Sequence, residues 1–118
     1  MENKTPSELN VKWKQLLVSL EAQFGEEPDL QTILFLIGVN ELGKGAMEFT
    51  KGQKMDLMHI ATCSLLSQYG YYLYEGLDTD GWPHYTLVEK LPPLKIGQQE
   101  DLLREAILSY FDVSDIKE

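Results

Sequence analysis

A chain of 118 residues with 43% apolar content is long enough for one domain with its own hydrophobic core and too apolar to stay disordered. Its net charge of −9, with 10 scattered basic residues against 19 acidic ones, argues against a nucleic-acid backbone or an anionic membrane as partner. One cysteine cannot close an internal disulfide, MENKTPSELN lacks the form of a signal peptide, and the longest apolar run is far too short to span a bilayer, so the expectation is a soluble, cytoplasmic protein.

Thr5-Pro6-Ser7-Glu8 matches a capping box with proline at the first helical position, where its missing N–H is not needed. It opens a helix over about 6–24, in which Leu9, Trp13, Leu16, Leu17, Leu20 and Phe24 recur at helical spacing along one face. On that stripe Trp13 reads as a core residue rather than as a stacking platform for a ligand. Gly25 supplies the stop.

Asp29 is the N-cap expected for a second helix over about 30–42. The run ILFLI at 33–37 is apolar all round, which predicts a helix buried over most of its surface. Its β-branched and aromatic content also permits a strand, but the flanking Leu30, Gln31, Glu41 and Leu42 favour helix. Glu41, four residues beyond Ile37, falls on an inward face, where a carboxylate must reach solvent, find a partner or serve a site. Gly43-Lys44-Gly45 invites a phosphate-loop reading, but the rest of that pattern is missing, so it reads as helix termination.

Thr50 and Gln53 form a second capping box and begin a third helix over about 51–69. Met55, Met58, Thr62, Leu65, Leu66, Tyr69 and Leu73 share one side of it, widened by Leu57, Ile60 and Ala61. Glycine in a helix interior costs about 1 kcal/mol against alanine, so Gly70 places the end of this helix between 68 and 71. Five of the six tyrosines lie between 69 and 85, together with Trp82. Alternating residues at 71–75 and 84–89 around LDTDGWP predict a hairpin-like insert over about 71–90, with Asp80-Gly81 in its turn. Leu91-Pro92-Pro93-Leu94 is a stiff connector, followed by an amphipathic helix over about 98–112 and a tail expected to fray. The expected fold is therefore mainly α: a compact, single-domain bundle of about four helices with a short β-hairpin between the third and fourth.

Two groups of side chains have the chemistry of a site. Asp56, His59 and Cys63 stand at i, i+3 and i+7 and so project along one side of the third helix. Carboxylate, imidazole and thiolate are all metal ligands, and Glu41 could join them, but a single D-x-x-H is not the paired motif of a di-metal bundle. As a catalytic pair, Cys63 and His59 lack the helix N-terminus or cation that would lower the thiol pKa. The second group is the insert. Its D-x-D-G resembles part of a calcium loop, but alignment on Gly81 places Gly76 and Leu87 at the two end-ligand positions, which removes both ligands. Tyr72, Tyr74, Asp78, Asp80, Trp82 and His84 are instead the candidates for binding, because aromatics with polar tips anchor interfaces and ligand clefts.

The resulting expectation is a non-enzymatic acidic module that binds a protein partner or self-associates through the aromatic insert. No cofactor or catalytic residue is assigned. The alternative is a metal- or small-molecule-binding enzyme with Glu41, Asp56 and His59 lining a pocket.

Overall fold

The computed structural model describes residues 6–45 and 47–116. The chain is mainly α, with helices α1 (Pro6–Phe24), α2 (Leu30–Leu42), α3 (Lys51–Ser67) and α4 (Ile96–Ile116). Strands β1 (Tyr72–Leu77) and β2 (Pro83–Leu87) lie between α3 and α4 and pair antiparallel. Thr5, the expected first cap, lies outside the described residues, as do Lys117 and Glu118 of the tail. Helix α4 runs beyond the expected 98–112, taking in residues up to Ile116 of the tail expected to fray. No helix among the described residues is long and apolar enough to cross a membrane.

The contacts of the chain fall into two units, Met1–Pro28 with Pro93–Glu118, and Asp29–Pro92. In the first, α1 packs on α4. Leu9 and Leu20 of the expected α1 stripe are buried, as are Ala106, Ile107 and Leu108 of α4. Phe24, at the end of the stripe, is instead half exposed, one residue before Gly25 turns the chain at φ 85°. Trp13 carries the Arg104 guanidinium 5.6 Å above its ring, a cation–π contact across the helix pair.

The second unit is built on α2 and α3. Asp29 Oδ1 accepts from the Thr32 N–H at 2.8 Å and so caps α2. The helix ends at Gly43, left-handed at φ 73°, whose N–H donates to the Val39 carbonyl. Between these ends, Ile33, Leu34, Ile37 and Gly38 are buried, as the all-round apolar run requires. Both halves of the α3 capping box form: the Gln53 N–H donates to Thr50 Oγ1 at 3.1 Å, and the Thr50 N–H to Gln53 Oε1 at 2.9 Å.

The buried side of α3 is not the Met55–Met58–Thr62 line. Met55 is exposed, and the core is made by Leu57, Ile60, Ala61, Leu65 and Leu66. The cause is a close crossing in which Gly38 of α2 lies against the Leu57 backbone, turning that side of α3 inward.

The hairpin sits one to two residues nearer its turn than the alternation suggested. Tyr72 faces Leu87, Leu73 faces Thr86 and Tyr74 faces Tyr85; a bulge then leaves Glu75 unmatched before Gly76, at φ 109°, pairs with His84. A bulge of this kind adds twist and re-aims the strand that carries it. Trp82 and Tyr85 pack against Leu42, Leu57 and Ile60, anchoring a two-stranded sheet that would be marginal alone. Edge-to-face contacts run from Phe35 to Phe49 (6.0 Å) and from Phe49 to Trp82 (6.4 Å).

Candidate functional site

Where the hairpin turn meets α3, an open cleft of about 440 Å³ forms, and every described residue lining it belongs to the Asp29–Pro92 unit. From α3 come Gln53, Asp56, His59, Ile60 and Cys63, successive positions on one helical face. From the hairpin come Asp78, Asp80, Trp82, Pro83, His84 and Tyr85. The cleft thus gathers both histidines of the chain and its one cysteine.

The turn is organised by a single carboxylate. Asp78 Oδ1 accepts from the backbone N–H groups of Asp80 (2.9 Å) and Trp82 (3.0 Å), while Oδ2 lies 2.9 Å from His84 Nε2. The Asp78 N–H donates to the Trp82 carbonyl and the Gly81 N–H to the Asp78 carbonyl, both at 2.9 Å, closing the loop on itself. The hydrogen bond from the Trp82 N–H, then that from His84, holds the Asp78 carboxyl below its usual range. Gly81 is needed on two counts: φ is 85°, and a Cβ there would stand 3.1 Å from the Lys44 side chain.

That lysine is the second support. Lys44 Nζ donates to the Asp80 carbonyl, so the glycine-flanked loop after α2 clamps the tip of the hairpin. The residue dismissed with a phosphate-loop reading therefore has a structural task, and no local sequence pattern announces it.

On the α3 wall, Cys63 Sγ lies 3.5 Å from His59 Nε2, one helical turn away. Burial pushes the Cys63 thiol up to about 11, the reverse of what a nucleophilic cysteine needs. Tyr85 is also pushed up, chiefly by burial and further by the Glu41 carboxylate, with a hydrogen bond to Ser64 acting the other way. The Asp56 and Asp80 carboxylates have no side-chain or backbone partner among the described residues.

The residues expected to bind divide. Asp78, Asp80, Trp82 and His84 line the cleft; Tyr72 and Tyr74 do not. Tyr74 is half exposed, and its ring packs on that of Tyr85 with centroids 5.5 Å apart. Asp56 and His59 of the alternative metal set reach the cleft, whereas Glu41 is half-buried on α2 and outside its lining. Among the described residues, no three His, Cys, Asp or Glu side chains are placed to hold a metal ion. Gln53, Ile60, Pro83 and Tyr85 were missed as lining residues. The helical spacing of Gln53 and Ile60 with Asp56 and Cys63 was the one signal available for the first two.

Comparison with protein-family models, with curated proteins and with solved structures returns no match for this chain.

Proposed function

We propose that the protein is a non-enzymatic binding module that seats a group of its partner in the cleft between α3 and the 78–82 turn. One observation carries this reading: two separate elements, α3 and the hairpin, meet to form a cleft of about 440 Å³ with aromatic, imidazole and carboxylate walls. That size and mixture suit a recognition site, where apolar surface supplies affinity and a few polar groups fix orientation. The turn side is held in place by the Asp78 hydrogen bonds, the Lys44 clamp and the packing of Trp82 on Phe49, so little ordering accompanies binding. The raised pKa of Cys63 favours binding over thiol chemistry.

A fragment library screened against the ¹⁵N-labelled chain tests the reading, with the two indole N–H resonances as internal reporters. Hits are expected to move the Trp82 indole together with the amides of Gln53 and His59, leaving the Trp13 indole in place. A screen whose hits move only resonances outside the cleft, or that yields none, would refute it.

A further inference from the structure

From the chemistry of the cleft walls, we infer that the group it receives is a cation of the alkylammonium or guanidinium class. The inference rests on the binding reading above and adds the identity of the ligand. Among the described residues, three carboxylates, Asp56, Asp78 and Asp80, line the cleft, and no lysine or arginine does. Asp78 is occupied in holding the turn, but Asp56 and Asp80 have no partner among the described residues and come from different elements, one from α3 and one from the turn. Trp82 and Tyr85 line the same space.

Aromatic surface beside carboxylates on two walls is the arrangement that recognises an organic cation, through ring quadrupoles and charge together. It fits less well with the alternatives. An anion would face three carboxylates, and a neutral apolar group would draw nothing from the two that lack a partner. A bare metal ion is disfavoured because, among the described residues, no three ligating side chains are placed to hold one. The Lys44 ammonium does not fill the role itself, since it donates to the Asp80 backbone carbonyl and is not among the lining residues. The chain's charge of −9 would further draw a basic partner toward it. The cation can come from two sources, a lysine or arginine side chain of a protein or a free small amine, and the chemistry at the cleft is the same for both.

The test is a ¹H–¹⁵N titration of the full chain with three probes of similar size: N-acetyl-lysine methylamide, N-acetyl-norleucine methylamide and N-acetyl-glutamate methylamide. The lysine probe is expected to shift Gln53, His59, Asp80 and Trp82, and to bind at least about tenfold more tightly than the norleucine probe, as a cation–π contact with ion pairing implies. Asp56→Asn with Asp80→Asn, both exposed and outside the core, should remove that preference while amide dispersion stays native. Putrescine, run in parallel, separates the sources: tighter binding than the lysine probe assigns the site to a free amine, weaker binding to a protein side chain. Equal or tighter binding of the norleucine or glutamate probe would overturn the cation assignment but leave the cleft as a binding site. Failure of the lysine probe to shift any cleft residue would overturn the cation assignment as well, and the fragment screen then decides whether the cleft binds at all.

Discussion

Replacing Gly38 by alanine sets two effects of opposite sign against each other, and the geometry decides between them. In a helix interior the change alone is worth about 1 kcal/mol in favour of alanine. At this crossing, however, the new Cβ would stand 2.2 Å from the Leu57 carbonyl oxygen, 2.7 Å from its carbon and 2.9 Å from the Leu57 Cβ. Two of those atoms are backbone, so α2 and α3 must separate rather than a flexible side chain move aside. Overpacking of a well-filled core costs about 1–3 kcal/mol, and a backbone clash belongs at the upper end. The net expectation is about 2 kcal/mol of destabilisation, a fall in melting temperature of about 8 °C for a chain of this size. Near-ultraviolet circular dichroism is the assay, because the edge-to-face packing of Phe49 on Trp82 is in the affected unit. Gly52→Ala is the control, since nothing lies within 4 Å of a Cβ there. An unchanged or raised melting temperature for Gly38→Ala would refute the close crossing that turns Leu57 inward.

Three further expectations concern the caps, the turn and the thiol. Thr50→Ala should remove half of the α3 capping box and cost about 1 kcal/mol, read as a lower urea midpoint; no change would mean that the cap does not hold the helix end in solution. Because the folded-state pKa of Asp78 lies below its ordinary value of 3.8, its contribution is present above that value and is lost as pH falls through the depressed pKa. Acid unfolding of Asp78→Asn followed at the Trp82 indole should therefore lack this component and start from a less stable turn; a curve that superimposes on the unmutated protein's contradicts this. With its pKa raised from 9.0 to about 11, Cys63 should carry about a hundredfold less thiolate at pH 8 than an ordinary thiol. Its alkylation by iodoacetamide should be slower than that of glutathione by at least that factor, and a comparable rate would show that the cleft exposes the sulfur.

The parts of the fold that were legible in the sequence are those set by local chemistry. Asp29 and Thr50 cap the helices they precede because an oxygen acceptor next to a helix start bonds to the nearest free N–H groups whatever the rest of the chain does. The hairpin was readable from its alternation and its Asp-Gly turn, though the bulge at Glu75 and the shift toward the turn were not, since register depends on what the strands pack against. The inward side of α3 was misjudged at Met55 because an apolar stripe wider than one face does not say which edge meets a neighbour. That choice was made by the crossing at Gly38, a tertiary contact.

The candidate site divides along the same line. The common face of Asp56, His59 and Cys63 follows from helical spacing, and the role of Asp78 in its turn follows from turn chemistry. That the two groups share one cleft depends on how the hairpin lies on α3, which Trp82 and Tyr85 fix through Leu42, Leu57 and Ile60. Lys44 acts on a carbonyl far along the chain, a long-range contact with no sequence signature.

In the proposed function, α3 and the hairpin turn form one binding site. The most direct test is the set of intermolecular nuclear Overhauser effects between the tightest fragment or probe and the protein's side chains. Contacts are expected to His59 and Ile60 of α3 and, from the same ligand, to Trp82 and Pro83 of the hairpin. Contacts confined to the exposed apolar residues Leu73, Leu77, Leu87 and Val88, or to Val11 and Val18 of α1, would contradict it.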